Sequence, residues 1–503
     1  MEALKTIRPE LLTLSQDQIN CLTPYLVMFA GTVLAILLSV GKRIQPKWPV
    51  FVLSALTCIA AMSFSYDLIS GESRSLFNGM MVSDSYSNFF NLIFLGSALL
   101  TIFASFRYLD HQKLQHPEYY VLVLFAAMGM MLMSAAMDLV VVFIALELMS
   151  ISIYVLVGFR RADRKSNEAA MKYFILGSAA SAVLLYGVAL IYGTTGTTEM
   201  RGILTFVHGH GQGINPIFSL GFVMVLFGFL FKVASVPFHM WMPDVYEGAP
   251  VPVTGFMTTG LKAAAFATFV RVMISVAYGT GASVVMQGYL HHVLWVSCVL
   301  TMLLGNFVAL SQVNLKRMLA YSSIAHTGYL LMGILSASRT DLGFGPVTMY
   351  LVVYSIMNLG AFVILTLLAS DGDTKLNLHD LSGVSRRHPW LAMGMSVFLL
   401  SMAGMPPLAG FAAKYLLFYS AVQAGEIPLV VIGVLSSAVS VYYYLRVLVY
   451  MYMRDPVGSP PVLRVSMWSG LALVTTVVLT IQIGVFPERM VNLAKQVVSS
   501  LSY

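Results

Sequence analysis

Charged residues are scarce in this chain of 503 residues. Aspartate, glutamate, lysine and arginine together make up 10% of it, whereas an ordinary soluble domain contains about 25%. This scarcity excludes a conventional water-soluble globular protein. The net charge of +7 is better explained by orientation in a membrane than by nucleic-acid binding, because the basic residues lie in particular connections rather than in one patch.

Cysteines and metal-ligand patterns are also few. The three cysteines, Cys21, Cys58 and Cys298, are far apart and form no C-x-x-C pair, which argues against a disulfide framework or a cluster site. The histidine pairs at 208–210 and 291–292 have no supporting ligand set. No G-x-G-x-x-G unit joins a strand to a helix. We therefore expect no metal site and no bound redox cofactor in this chain.

Long apolar runs are what the chain has in abundance. Hydrophobic residues make up 58% of it, and the mean hydropathy is +0.81. A helix needs about 20 apolar residues to cross a bilayer, and about fourteen such runs follow one another with short connections. Runs such as LVVVFIALELMSISIYVLVGF do not alternate as strands would. The sequence predicts an all-α polytopic membrane protein with about 14 transmembrane helices.

The positions of the basic residues predict an orientation. Alternate connections are rich in lysine and arginine, with four such residues at 160–165, whereas the opposite connections keep only Arg74, Arg201 and Arg339. By the positive-inside rule, an even number of spans places both termini on the outer side of the membrane. We expect a multi-pass protein of the cell inner (plasma) membrane, with an organellar or thylakoid membrane as the alternative. The opening segment mixes acids with bases and lacks a cleavage pattern, so we expect a polar lead-in rather than a signal peptide.

Five ionisable residues lie within apolar runs rather than between them. They are Glu147, Lys232, Lys262, His326 and Lys414. A charge near the bilayer centre costs about 2.5–3.5 kcal/mol on insertion scales, and such residues usually mark ion pathways. Burial and a nearby carboxylate change an amine's proton affinity in opposite directions. We interpret the set as a proton relay; the alternative is that each lysine makes a structural pair or reaches a hydrated pocket.

Further ionisable residues stand near helix ends. We expect their side chains to reach the membrane interface, because long polar side chains extend along apolar surface towards water. They are Asp138, Lys172, Arg271 and Arg446.

Prolines interrupt two of the predicted helices beside a lysine. Pro237 follows Lys232 by five residues, and Pro406 and Pro407 precede Lys414. Proline removes a helix hydrogen bond, and broken helices at membrane depth are tolerated only beside protein-lined or watery cavities. The pattern predicts that helices 7 and 12 are discontinuous and hold two related sites.

The matching lysines also predict an internal repeat. Each would lie in the fourth helix of a five-helix block, and two blocks with an odd number of helices are inverted relative to each other. The predicted divisions are an N-terminal part at 1–118 with the lead-in and helices 1–3, repeat 1 at 119–275 with helices 4–8, repeat 2 at 276–451 with helices 9–13, and a C-terminal part at 452–503 with helix 14.

Several motifs resemble a known family. The segments VPFHMWMPDVYEGAPVPVTGF, LKRMLAYSSIAHTGY and GMPPLAGFAAKY, together with Glu147 and Lys262, resemble the antiporter-like membrane subunits of the proton-pumping NADH:quinone oxidoreductase, respiratory complex I. PDVYEGAPVPVT is similar to the subunit N type, also called subunit 2. The resemblance extends over roughly 119–450 and implies a proton-translocating subunit of that enzyme, coupled to quinone reduction elsewhere in the complex.

The resemblance also implies roles for the five residues. Glu147 and Lys232 would form the coupled pair of the first half-channel, Lys262 the central connector, and Lys414 the group that passes protons to the other face, with His326 between the lysines. It further implies that the chain itself carries no cofactor. FMN, iron–sulfur clusters and quinone would belong to partner subunits in the membrane and the hydrophilic arm, with lipids around the chain and no nucleic acid.

Two other functions remain open from the sequence. A subunit of a multi-subunit Na⁺/H⁺ antiporter would share the lysines and the glutamate, although the PDVYEGAP segment argues against it. A self-contained solute carrier would need a substrate-specific polar cluster, and none is evident. Asp244 and Glu247 are interpreted as part of a hinge on the inner side, with a proton entry funnel as the alternative.

Overall fold

A computed structural model describes residues 15–40, 47–210, 215–277, 284–369, 373, 376–456 and 465–501. Most of the predicted polar lead-in, residues 1–14, lies outside the described residues. The described parts are helical apart from short connections and one small hairpin, which confirms the predicted all-α fold.

The first half of the chain supplies eleven α-helices and the hairpin. They are α1 (Gln16–Val40), α2 (Lys47–Leu68), β1 (Arg74–Leu76), β2 (Met81–Ser83), α3 (Ser85–His111), α4 (Glu118–Ala135), α5 (Leu139–Val157), α6 (Arg164–Thr195), α7 (Met200–His210), α8 (Pro216–Lys232), α9 (Trp241–Gly248), α10 (Val251–Phe256) and α11 (Lys262–Val272). The two strands pair antiparallel. A π-helical turn, Met257–Leu261, joins α10 to α11, so the two form one continuous rod.

The described residues of the second half form nine more α-helices. They are α12 (Val284–Ser311), α13 (Leu315–Ala337), α14 (Gly345–Leu368), α15 (Val384–Arg387), α16 (Pro389–Ala403), α17 (Ala409–Gln423), α18 (Ile427–Met453), α19 (Met467–Val485) and α20 (Pro487–Ser499).

Within the described residues, twelve helices are long and apolar enough to cross a membrane. Two further apolar helices, α8 and α16, are shorter. Each is followed by an interruption, at 233–240 and 404–408, and then by a second helix. The predicted breaks in helices 7 and 12 are therefore confirmed, although the single apolar run predicted over 390–422 is divided into α16 and α17. The total of about fourteen spans, the inverted repeat and the domain boundaries stay predictions.

Side chains from neighbouring helices satisfy the backbone groups that the first break exposes. The Thr301 hydroxyl of α12 accepts a hydrogen bond from Val236 N at 2.9 Å, and the Thr327 hydroxyl of α13 donates to Val233 O at 2.8 Å. Trp241 Nε1 donates to Phe231 O at 3.0 Å across the break. An irregular backbone can persist at membrane depth only when it is satisfied in this way.

The most buried helices form the centre of the bundle. The whole rod of α10 and α11 is buried, as are 94% of the apolar window of α13 and 89% of that of α14. By contrast, only 33% of α18 and 28% of α19 are buried. The outer helices thus present apolar side chains to lipid, and polar groups on α11, α13 and α14 are kept away from it.

Arg271 does not reach the membrane interface as the sequence suggested. Its side chain is fully buried, and its Nη1 and Nη2 donate to Asp84 Oδ2 at 2.9 Å and Oδ1 at 3.0 Å. Arg271 Nε also donates to Ser134 O at 2.8 Å. Because α3 and α4 pack against α11, the guanidinium has no route to water, and it instead joins the N-terminal helices to the central rod.

We expect the change Asp84→Asn to destabilise the chain. Asparagine can still accept the capping bond from Ser87 N, so the variant keeps the cap. It removes the negative charge opposite the buried guanidinium, and losing one charge of a buried ion pair costs about 3–5 kcal/mol. Thermal unfolding of the purified assembly should occur at a lower temperature. The double variant Asp84→Asn with Arg271→Met should recover most of the loss. An unchanged melting temperature for Asp84→Asn alone would contradict this role.

Candidate functional site

Lys232 is the last residue of α8 and lies directly before the first break. Its side chain is 1% exposed. Its Nζ donates a hydrogen bond to Ser150 Oγ of α5 at 2.8 Å and lies 5.8 Å from the ring centre of Tyr154. Glu147, Ser150 and Tyr154 recur at three- and four-residue intervals, so they share one face of α5. Glu147 therefore lies on the helix face that holds Lys232; that the two act as a coupled pair stays a prediction.

Glu147 and Lys232 nevertheless make no ion pair. Among the described residues, Glu147 Oε1 is buried without a hydrogen-bond partner, and so is the hydroxyl of Tyr154. A buried oxygen without a partner costs about 1–3 kcal/mol. The carboxylate is therefore poised to accept a hydrogen bond or a proton, and the lysine is held by a hydroxyl instead.

Lys262 is the first residue of α11, immediately after the π-helical turn, and is 1% exposed. Its Nζ donates to Ser323 O at 2.5 Å and to Ser323 Oγ at 2.7 Å. The Tyr354 hydroxyl donates to the same Ser323 Oγ at 2.6 Å. A π-helical turn changes the direction in which the following side chains point and often occurs at functional sites.

Helix α13 connects the first break to Lys262. The Thr327 hydroxyl that bonds Val233 O lies 3.3 Å from Ser323 O, the carbonyl that also binds Lys262. Val233 directly follows Lys232. One turn of α13 therefore contacts both the end of α8 and the amine of Lys262.

His326 lies among tyrosines between the lysines. Its Nδ1 is 2.5 Å from the hydroxyl of Tyr350, and its Nε2 is 3.3 Å from the hydroxyl of Tyr444. The Tyr444 hydroxyl also forms a short hydrogen bond with Ser322. Tyr354, whose hydroxyl bonds the Ser323 that also binds Lys262, has its ring centred 5.2 Å from the imidazole ring of His326.

Lys414 lies on α17 just after the second break and is 6% exposed. Its Nζ donates to Ser437 Oγ at 2.9 Å and to Ala403 O, at the end of α16, at 3.3 Å. The ring of Tyr329 is centred 5.3 Å from this amine and 5.7 Å from the ring of His326. Tyr329 thus touches the last two members of the predicted set.

The four basic groups share one electrostatic feature. Among the described residues, each of Lys232, Lys262, His326 and Lys414 is bonded to hydroxyls or carbonyls, and no carboxylate lies within ion-pair distance of any of them. Hydroxyls can both donate and accept, so they can pass a proton as well as hold one. A fixed carboxylate partner would instead trap the proton by Coulomb attraction.

The hydroxyl groups that surround the buried lysines and the histidine were not identified from the sequence. They belong to Ser150, Ser322, Ser323, Thr327, Tyr329, Tyr350, Tyr354 and Tyr444. One signal was available: Tyr350 and Tyr354 are four residues apart on α14, which places them on the same helix face.

A cleft of charged residues opens at the predicted inner end of the bundle, which we call the inner cleft. Its volume is about 200 Å³, and it is lined by Lys165, Glu168, Lys172, Asp244, Glu247 and Arg317. Arg317 contacts both Asp244 at 2.7 Å and Glu247 at 3.0 Å. Lys172 contacts Asp244 at 2.9 Å, and Lys165 contacts Glu247 at 3.0 Å. These pairs tie α9 to α6 and α13, which supports the predicted hinge; the alternative of an entry funnel stays open.

A second ionic cluster beside the inner cleft contains Lys316, Asp373 and Arg160. The side chain of Lys316 is 1% exposed, and its Nζ donates to Ala249 O at 2.7 Å. Asp373 lies 3.5 Å from Lys316 and 3.0 Å from Arg160. Lys316 therefore fixes the loop after α9 to the start of α13.

The acids of the inner cleft predict how stability depends on pH. Burial alone would raise the pKa of Asp244 and of Glu247. Hydrogen bonds from Lys172 and Arg317 to Asp244 outweigh burial and hold its pKa below the usual value. Hydrogen bonds from Lys165 and Arg317 do the same for the pKa of Glu247. The stabilisation is thus present above the unfolded-state pKa of about 4 and is lost as the pH falls through the lower folded-state pKa. Melting temperatures of wild type and of Asp244→Asn/Glu247→Gln should differ at pH 7 and converge below about pH 4. A constant difference would contradict this assignment.

The described residues include no group of three or more histidine, cysteine, aspartate or glutamate residues that could hold a metal ion. The three cysteines are buried and unpaired with one another. The side chains that the site brings together are three lysines, a histidine, a glutamate and several hydroxyls.

Comparison with known proteins agrees with the motifs. Residues 136–440 match a family model described as NADH:quinone oxidoreductase/Mrp antiporter, TM. The chain is 47% identical, over 428 residues, to NADH-quinone oxidoreductase subunit N of Trichlorobacter lovleyi, and the alignment covers 85% of this chain and 86% of that protein. The resemblance inferred from the sequence is confirmed.

Solved structures have the same fold. A chain in respiratory complex I from Thermus thermophilus with bound aureothin is similar with a TM-score of 0.77 and 33% identity, covering 93% of this chain and 98% of that one. A chain of the Mrp complex from Dietzia sp. DQ12-45-1b has a TM-score of 0.81 at 21% identity, covering 97% and 98%. At 21% identity, the similarity to the Mrp complex chain concerns the fold alone.

Proposed function

The chain belongs to the NADH:quinone oxidoreductase/Mrp antiporter membrane family, with subunit N proteins among its relatives, and we propose that it is the proton-translocating subunit N of a complex I. It moves protons through a buried relay while quinone is reduced in other subunits. Its partners are the other membrane subunits and the hydrophilic arm. FMN, iron–sulfur clusters and quinone belong to those partners, and both termini of this chain lie on the outer side of the plasma membrane.

One observation carries this proposal: the buried basic groups follow one another across the bundle, each bonded to hydroxyls or carbonyls, and α13 contacts the surroundings of all of them. Thr327 of α13 bonds Val233 O, directly after Lys232, and lies 3.3 Å from the Ser323 carbonyl that binds Lys262. The Tyr354 hydroxyl bonds Ser323 Oγ, and the Tyr354 ring is centred 5.2 Å from the ring of His326. Tyr329 then contacts both His326 and Lys414. Isolated structural lysines would not require such a succession of donors and acceptors.

Glu147 is proposed to control the first member of the relay. Its carboxylate lies on the same face of α5 as Ser150, which binds Lys232, and it has an unsatisfied oxygen. At about 4 Å and an effective dielectric constant of about 20, two unit charges attract by about 4 kcal/mol. Moving one charge across 100 mV costs about 2.3 kcal/mol. Approach of Glu147 would thus hold the proton on Lys232, and withdrawal would let it move towards Lys262.

A sodium/proton antiporter subunit is the alternative function, and the relay does not favour it. Sodium is a hard cation that needs several oxygen ligands in one place, as other hard cations do. The buried site instead places its hydroxyl and carbonyl oxygens against three amines and an imidazole, and a protonated amine repels a metal cation. The similarity to the Mrp complex concerns the fold alone.

We expect Lys232→Met to stop proton translocation through this chain without preventing assembly. Methionine keeps an unbranched stem of similar length, and the lost amine has no ion-pair partner within the described residues that would be left as a buried charge. The measurement is the proton uptake per quinone reduced by inside-out vesicles that contain the assembled complex. A ratio equal to wild type would remove Lys232 from the mechanism.

The matched control is Lys495→Ala. Lys495 is an exposed lysine on α20, outside the relay. This variant removes the same charge from the surface and should leave the proton ratio unchanged. A loss in both variants would point to assembly rather than to proton transfer.

The change Ser323→Ala tests the junction between Lys262 and Tyr354. It removes the hydroxyl that both groups contact at 2.7 and 2.6 Å, while the carbonyl of the same residue still binds Lys262. We expect proton translocation to slow more than about tenfold, because a relay step loses its positioned hydroxyl. Ser323→Thr should restore translocation. If alanine and threonine behave alike, the junction does not lie on the proton path.

A further inference from the structure

A buried carboxylate lies at the outer end of the bundle, where the sequence indicated no site. Glu426 precedes α18, and its side chain is 9% exposed. Its Oε1 lies 2.6 Å from His291 Nε2 of α12 and 2.9 Å from Nη1 of Arg339, which follows α13. Three separate elements therefore bring one acid, one imidazole and one guanidinium together.

The exposure of these side chains rises towards the surface. Glu426 is 9% exposed, His291 23% and Arg339 49%. The cluster thus extends from the protein interior to solvent. If Glu426 only fixed the loop, its contact with Arg339 would be enough. Glu426 also contacts His291, a partly exposed side chain that can exchange a proton with solvent.

Helix α17 connects this cluster to Lys414. Its buried stripe contains Lys414, Leu417, Ser420 and Ala421, and Ser420 lies six residues beyond Lys414, or about 9 Å along the axis. The backbone N–H of Glu426 donates to Ala421 O at 3.0 Å, so the acid folds back over the end of this stripe.

Polar groups also approach the cluster from this stripe. Ser420 Oγ is 3.4 Å from Thr340 Oγ1, and Thr340 directly follows Arg339. Leu417 is fully buried between Lys414 and Ser420. Along α17, a proton leaving Lys414 therefore has one apolar side chain to pass before it reaches the hydroxyl of Ser420.

We propose that Glu426 and His291 form the outer proton-release site for Lys414, a proposal that rests on the function proposed above. The ammonium of Lys414 loses a proton that reaches the carboxylate of Glu426 by way of Ser420 and Thr340. The acid passes it to the imidazole of His291, which releases it to solvent, and both groups return to their starting forms. Arg339 stays in contact with Glu426 at 2.9 Å and holds the carboxylate in position. Only a proton moves, and no bond between heavy atoms changes.

The variant Glu426→Gln tests this release site in the full complex. Glutamine has the same shape and keeps an acceptor for Arg339, but it cannot take up a proton. Positioned acid–base groups typically accelerate proton transfer by 10²–10⁴-fold, so we expect release through this chain to slow by about 100-fold. Proton translocation per quinone reduced, measured in inside-out vesicles, should fall, whereas the amount of assembled complex and its melting temperature should stay at wild-type values.

Three companion variants make every outcome decisive. Asp341→Asn removes an equal charge from an exposed acid close to Arg339 and should leave translocation unchanged. Lys414→Met should lower it. If Lys414→Met lowers translocation and Glu426→Gln does not, the cluster only fixes the loops and the release site is wrong while the relay stands. If neither lowers it, the proposed function itself is contradicted. Glu426→Asp, which keeps a carboxylate, should recover part of the lost translocation; no recovery would contradict the release site.

Discussion

The structure depends on one constraint: three lysines and a histidine are buried without a carboxylate at ion-pair distance in the described residues. Removing a charge from water costs several kcal/mol, even after the protein relaxes. Each group is offset by one or two hydroxyls or a carbonyl instead of an opposite charge. A hydroxyl stabilises a neighbouring cation less strongly than a carboxylate would. The proton on each group is therefore held less tightly than it would be in an ion pair. Weak retention of the proton is what a conducting group requires.

The same constraint accounts for the irregular helices. A regular helix has no backbone group left over to solvate an amine, whereas the interruption after α16 exposes Ala403 O to Lys414. At Lys262 the solution is different, because a neighbouring helix supplies the carbonyl and hydroxyl of Ser323. The charged clusters at the two ends are built from ordinary ion pairs, because water there can share the cost.

The sequence predicted the helical fold and singled out the five ionisable residues of the proposed relay, because both follow from rare residues in an apolar background. A lysine within an apolar run is conspicuous, and so is a proline beside it. Serines, threonines and tyrosines are common in membrane helices, so Ser323 and Tyr354 gave no such signal. Arg271 was misjudged because its position near a helix end does not reveal that α3 and α4 cover that end. Glu426 was missed because it lies in a connection, and only the fold brings His291 and Arg339 to it.

Helix α13 carries Ser322, Ser323, His326, Thr327 and Tyr329 within about two turns. Between them, these side chains bond the end of α8, Lys262 and Tyr444, and contact Lys414. A small rotation of this one helix about its axis would loosen or tighten all of these contacts together. The surroundings of the distant amines could then change at the same time without any signal passing between them, because parts of those surroundings all lie on this one helix.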